Sequence, residues 1–262
     1  MAKYGYIDLR VRRQDGPLNK ERWEDFLVER RDACTVADIL KAVERTPRLA
    51  DGRETSPIVW ENGCGEGRCG SCAMLINGHP LLACRAKLDD FPPAPIILEP
   101  LSKFPVVRDL WVDRSALFEA LDAVGVWVEP DGAQDAVSAY VATADITTAD
   151  VGPGAARRAY EYGRCIHCGI CMEVCPSYNG LASYVGPAAV AASAAYQELC
   201  PSGADARRMQ RALMEPGGIT GCGAAMNCVK LCPQGIPLTS AIAATNRRVN
   251  AAAWGMLRGN KT

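Results

Sequence analysis

Eleven of the thirteen cysteines in this chain of 262 residues fall into groups whose spacing carries chemistry. The first group is GCGEGRCGSC at 63–72: Cys64, four residues, Cys69, two residues, Cys72, with Cys84 following. This is the plant-type pattern for a [2Fe–2S] cluster, which needs four thiolates around two irons and backbone N–H groups turned toward the sulfurs. Gly63, Gly65, Gly67 and Gly70 allow a loop with its amides on the concave side. Asn77-Gly78 is a hairpin-turn pair. Cys72 lies five residues before Asn77 and Cys84 six after Gly78, so a hairpin centred there returns Cys84 to the side of Cys72. Zinc is the competing use for such thiols, but zinc ribbons pair Cys-x2-Cys knuckles instead of a glycine-rich loop.

Residues 165–176 read CIHCGICMEVCP, the bacterial-ferredoxin run, with Cys165, Cys168, Cys171 and Cys175-Pro176. In two-cluster proteins the fourth cysteine of such a run serves the other cluster. A second copy, CGAAMNCVKLCP, stands at 222–233, and Cys222, Cys228 and Cys232 each fall 57 residues after Cys165, Cys171 and Cys175. The pseudo-repeat implies interleaved sets. Cys165, Cys168, Cys171 and Cys232 form one four-thiolate set for a [4Fe–4S] cluster. Cys175, Cys222 and Cys228 form the other, one ligand short, because the position matching Cys168 is Ala225. Three thiolates suit a [3Fe–4S] cluster; the alternative is a [4Fe–4S] cluster with one water-ligated iron. Cys34 and Cys200 are left over and read as small buried hydrophobes. His167, between two ligands, reads as loop lining.

The elements around these groups change character along the chain. Tyr4 to Arg12, Trp23 to Arg30, Ile58 to Trp60 and Ile96 to Leu98 have strand character, and Thr35 can cap a helix over Val36 to Glu44. From about Leu117 the pattern is helical. The expected helices are Leu117–Val128, Arg157–Gly163, Pro187–Leu199, Ala206–Met214 and Leu238–Ala253, with 142–155 as a connector. A boundary near residue 112 separates domains 1–112 and 113–262.

Composition narrows the class. Apolar residues make up 48% and the net charge is −1, which argues for a packed core and against nucleic acid as a partner. Two histidines leave little room for a histidine metal site or triad. No apolar h-region opens the chain, and no run approaches the ~18–20 residues that span a bilayer; the best, Val185 to Tyr196, is about one helix of mostly alanine. From Pro216 onward there is no acidic residue, but there are Lys230, Arg247, Arg248, Arg258 and Lys261. These read as a solvated helix face or as a contact for anionic headgroups.

Taken together, the motifs resemble the iron–sulfur subunit of succinate dehydrogenases and fumarate reductases. The resemblance spans the chain: GSCAMLING at 70–78, the segment Arg108-Asp109-Leu110-Trp111-Val112-Asp113, Gly186-Pro187-Ala188, and the eleven cysteines in register with the Ala225 gap. It implies an α+β chain, with an N-terminal β-grasp plant-type ferredoxin domain followed by an all-α bacterial-ferredoxin-like domain. It further implies an FAD-containing flavoprotein subunit that oxidises succinate, an integral membrane anchor, and quinone as the final acceptor. Single electrons would pass through [2Fe–2S], [4Fe–4S] and [3Fe–4S] in that order, with no substrate site on this chain. The implied location is peripheral, on the cytoplasmic side of a bacterial cell membrane. Ubiquinone-linked members carry a tryptophan pair after Cys-Pro-Ser and a histidine after the first cysteine of the second run. Here Tyr178-Asn179-Gly180 and Gly223 stand in those places. Pro216-Gly217-Gly218-Ile219 and the run 233–239 look more like menaquinone-linked bacterial members, so menaquinone is the expected quinone, with no contact residues assigned. Fumarate reduction, the reverse direction, and a free-standing multi-cluster ferredoxin are the competing readings.

Overall fold

In the segment YIDLRVRR, every second residue from Leu9 turns inward, so that Leu9, Val11 and Arg13 are buried on one face. The computed structural model describes residues 5–30, 35–126, 151–179, 184–201 and 204–259. Its contacts divide into two units. The first comprises Met1–Ala116, Ile166–Val174 and Leu231–Pro233; the second comprises Leu117–Cys165, Cys175–Lys230 and Gln234–Thr262.

In the first unit, β1 (Tyr6–Arg13) pairs antiparallel with β2 (Arg22–Glu29), Tyr6 opposite Glu29 and Arg13 opposite Arg22. The hairpin strands β3 (Ala73–Ile76) and β4 (His79–Leu82) and the strand β5 (Ile96–Glu99) complete a mixed sheet of order β2-β1-β5-β3-β4, with β1 and β5 parallel. Helix α1 (Val36–Arg45) buries Val36, Ile39, Leu40 and Val43. Thr35 caps it as expected: its hydroxyl accepts the Asp38 amide while the Asp38 carboxylate accepts the Thr35 amide, a capping box. This is the β-grasp arrangement.

Ile58 to Trp60 is not a strand. Its backbone is satisfied differently: the Val59 amide donates to Asp109 Oδ2 at 2.9 Å and the Val59 carbonyl accepts the Leu110 amide. Asp109 is fully buried and also accepts from Arg13 Nε at 2.9 Å and from the Gln14 amide at 3.1 Å. Arg13, equally buried, gives its remaining nitrogens to Glu24 and to Ser56 and Pro57. The charged pair is thus buried with its hydrogen bonds made, the condition under which burial is tolerated. A two-stranded ribbon, β6 (Val106–Arg108) and β7 (Trp111–Val112), presents Asp109 at its turn. The short helix α4 (Ile170–Glu173) belongs to this unit too, and Glu173 accepts from Ser102 Oγ and the Lys103 amide.

The helical elements are α2 (Ser115–Val124), α3 (Pro153–Tyr162), α5 (Gly186–Leu199), α6 (Ala204–Met214), α7 (Asn227–Leu231) and α8 (Leu238–Gly259). Helix α2 starts earlier than expected, where Asp113 accepts the Ser115 amide, and stops before Gly125 at φ +72°. Residues 153–155, expected in the connector, open α3 with Pro153 in its first turn; the connector's residues 142–150 lie outside the described residues. Helix α5 is buried on almost every side from Gly186 to Ala194, which is why its sequence lacks an amphipathic stripe. Val124, Tyr184, Ala189, Val190, Leu213, Ile219 and Val249 form the core of the second unit. At the far end of α5, Glu198 accepts from Arg158 at 2.7 Å and from Arg248 at 2.5 Å. Arg248 is therefore engaged inside the fold and withdrawn from the basic tail; the Arg258 side chain and Lys261 lie outside the described residues.

Candidate metal centres

The hairpin brings the first cysteine group together. Asn77 and Gly78 take φ of 51° and 76°, the left-handed pair of a type I′ turn, and β3 and β4 pair from Ile76–His79 back to Ala73–Leu82. Just beyond, the Ala83 amide donates to the Cys72 carbonyl, and the Cys72 and Cys84 sulfurs lie 3.4 Å apart. In the loop, Gly65 and Gly67 at φ +69° and +74° aim the amides of Glu66 and Arg68 at the Cys64 sulfur, 3.3 and 3.2 Å away. The Cys64 amide in turn points at the Cys69 sulfur. Those amides hold the exposed Cys64 thiol down at about 6, whereas burial pushes Cys72 up to about 12. Four sulfur donors with N–H groups already directed at them fit an anionic cluster.

Gly70, the residue between Cys69 and Ser71, has a second role. A Cβ there would lie 2.4 Å from the Ile166 carbonyl oxygen and 2.9 Å from Cys168 Cβ. The absent side chain lets the backbone of the first cysteine loop touch that of the second motif. Arg114 fixes this approach: its guanidinium donates to the Gly70 carbonyl at 3.0 Å and the Ser71 carbonyl at 3.3 Å, and pairs with Glu61. Cys168, Cys171 and Cys232 fall in the first unit with these residues, and Cys165 in the second.

Cys175, Cys222 and Cys228 line one cavity of about 300 Å³ in the second unit. Ala225 stands on its wall, with Ser177, Tyr184, Pro187, Gly223 and Met226. The Ser177 hydroxyl accepts the Gly223 amide at 3.1 Å and so ties the two halves of the site together. Three sulfur donors, with Ala225 on the wall where the repeat would supply a fourth, fit a cluster with one thiolate fewer than the neighbouring motif supplies. Among the described residues no three His, Cys, Asp or Glu side chains gather closely enough for a single metal ion; a cluster of several irons spreads its thiolates wider than one ion does. Cys200 ends α5 and is not among the residues lining this cavity; Cys34 lies outside the described residues. His167 sits in the loop with φ 52°, and burial lowers its pKa.

Three residues at these centres were not singled out by spacing. Arg114 and Ser177 each lie next to a recognised motif, yet their contacts span forty residues or more. Tyr184, two residues before Gly186-Pro187-Ala188, carries no sequence signal beyond that adjacency.

Residues 8–119 match a family model described as a 2Fe-2S iron-sulfur cluster binding domain, and residues 161–236 match one described as a 4Fe-4S dicluster domain. Over 260 residues, 97% of this chain and 96% of the relative, the sequence is 36% identical to the succinate dehydrogenase iron-sulfur subunit of Bacillus subtilis. It is 26% identical over 246 residues to the fumarate reductase iron-sulfur subunit of Wolinella succinogenes, covering 93% of this chain and 97% of that one. A chain of the Mycobacterium smegmatis Sdh1 complex in the apo form has the same fold, with a TM-score of 0.77 at 24% identity, covering 96% and 98% of the two chains.

Proposed function

The chain belongs to the family of succinate dehydrogenase and fumarate reductase iron–sulfur subunits, an electron-transfer family, and from that premise we propose how its residues divide the work. Cys64, Cys69, Cys72 and Cys84 hold a [2Fe–2S] cluster. Cys165, Cys168, Cys171 and Cys232 hold a [4Fe–4S] cluster, and Cys175, Cys222 and Cys228 a [3Fe–4S] cluster. The two cofactor-binding domains are 1–112 and 113–262. The chain relays single electrons between the FAD of a flavoprotein subunit and quinone, with menaquinone favoured, at an integral membrane anchor. It works peripherally on the cytoplasmic side of the membrane; no helix among the described residues is long and apolar enough to cross one.

Bound clusters supply the one-electron chemistry that no side chain here provides. The protein supplies placement. The Glu66 and Arg68 amides stabilise the exposed Cys64 thiolate, Gly70 admits close backbone approach, and Arg114 holds that approach rigid by gripping two consecutive carbonyls. Ser177 ties the two halves of the third site together.

The observation that carries the reading is the cavity in which three cysteines from both copies of the repeat converge, with Ala225 on its wall. Electron paramagnetic resonance at graded potentials, on the complex purified from native membranes, tests it. A signal from an oxidised [3Fe–4S] cluster and one from a reduced [2Fe–2S] cluster are expected, with a flavoprotein in the same preparation. A chain recovered without any flavoprotein favours the free-standing ferredoxin instead. The direction of flow is decided by turnover with succinate and with fumarate plus a low-potential quinol, because the ligands are the same for both.

A further inference from the structure

Tyr184 is 3% exposed, and its buried hydroxyl has no partner at standard hydrogen-bond geometry among the described residues, although it interacts with the Cys222 sulfur. Leaving a buried hydroxyl without a well-made hydrogen bond destabilises the fold. Native proteins carry few such groups, and each calls for a reason. The ring is held in place: a Cβ on Gly221 would meet Tyr184 Cδ2 at 2.7 Å and Cβ at 3.0 Å, so that glycine makes the bay into which the tyrosine packs. The next residue is pinned by the Val185 amide to the Gly217 carbonyl at 2.9 Å. Tyr184 lines the cavity of Cys175, Cys222 and Cys228, and Cys175 and Cys222 pack against the same apolar core. The Cys222 and Cys175 sulfurs neighbour the phenol, whose O–H is a hydrogen-bond donor.

We infer that the Tyr184 hydroxyl donates a hydrogen bond to a sulfur of the cluster held by Cys175, Cys222 and Cys228, and thereby favours its reduced state. The inference rests on the reading that these three thiolates hold an iron–sulfur cluster. Reduction adds negative charge to the cluster, and a fixed donor at its sulfurs stabilises that charge, which raises the potential. Tyr184 is a tuning residue: it ligates nothing and transfers no proton.

The test is Tyr184→Phe in the intact complex, which removes one oxygen and leaves the ring packed on Gly221. In a redox titration followed by electron paramagnetic resonance, the midpoint of the third cluster falls, while that of the [2Fe–2S] cluster in the same sample stays where it was. Proton ENDOR of the wild-type complex supplies a measurement that needs no variant: a coupled proton that exchanges in deuterated buffer is present, and the Phe variant lacks it. An unshifted midpoint, or a wild-type spectrum without that proton, overturns the role of Tyr184. The wild-type line shape separately distinguishes a [3Fe–4S] from a [4Fe–4S] cluster, and the tyrosine's effect is read on either. A third site that yields no cluster signal in the wild type overturns the underlying reading together with the inference.

Discussion

At His167 and Gly169, in the first copy of the repeat, the backbone takes φ of 52° and 83°; at Ala224 and Met226, the matching positions 57 residues on, it takes 54° and 58°. The loop that kept its second cysteine and the loop that replaced it with Ala225 therefore share a backbone conformation. Only one of the four positions is glycine. The other three hold left-handed conformations that cost an L-residue roughly 1–2 kcal/mol each. Such strain persists where the surrounding structure requires it. The comparison teaches that the loop conformation is retained independently of the full ligand set. The two loops share one backbone shape and differ in one side chain, Cys168 against Ala225.

The largest expected effect comes from erasing the difference. Ala225→Cys places a thiolate on a backbone already shaped like that at Cys168. The oxidised [3Fe–4S] signal is expected to disappear, with a reduced [4Fe–4S] signal in its place and a higher iron content by chemical analysis. The reverse change, Cys168→Ala, makes the first loop resemble the second, and an additional [3Fe–4S]-type signal is expected in oxidised protein. If Ala225→Cys leaves both spectrum and iron content unchanged, the shared backbone is not what holds a cluster there.

The supports behind the two loops differ as well. The first loop continues into α4, whose Glu173 is fastened by Ser102 and the Lys103 amide; the second site leans on α5, which ends at the Glu198 ion pairs. Burial opposes the Glu198 charge, but the hydrogen bonds from Arg158 and Arg248 outweigh it and hold the carboxyl below its ordinary range. Its stabilisation is thus fully present above the usual carboxylate pKa and is lost as pH falls through the depressed folded value. Glu198→Gln is expected to lower stability by roughly 1–3 kcal/mol near neutral pH, at the modest end because Arg158 is half in water. Thermal denaturation midpoints of variant and parent should converge on acidification below about pH 4. A constant gap across that range would remove the Glu198 charge from the account.

The smallest effect concerns the strain itself. Met226 is largely exposed, so its side chain contributes little burial. Met226→Gly should relieve a left-handed conformation and raise stability by up to about 1 kcal/mol, read as a small rise in melting temperature. A drop instead would mean that the thioether supports the loop.

Much of this site was legible in the chain. The hairpin at Asn77-Gly78 was readable because a two-residue turn is a local matter, and with it the meeting of Cys72 and Cys84. The Thr35 cap and the helix of α5 were readable for the same reason, though the burial of α5 was not. Ile58 to Trp60 misled because its apolar residues resemble a strand, while the groups that satisfy its backbone, Asp109 and Leu110, come from fifty residues away. Arg248 read as part of a basic surface because nothing local announces Glu198.

By itself, then, the sequence determined the cysteine inventory, the repeat of the two runs and the gap at Ala225, because residue number and spacing are properties of the chain. Tertiary structure alone decided which polar groups surround those ligands. Arg114 reaches the Gly70 and Ser71 carbonyls, Ser177 reaches the Gly223 amide, and the Tyr184 hydroxyl is sealed beside Cys175 and Cys222. Each of these depends on segments distant in sequence becoming neighbours, and no periodicity or spacing encodes that.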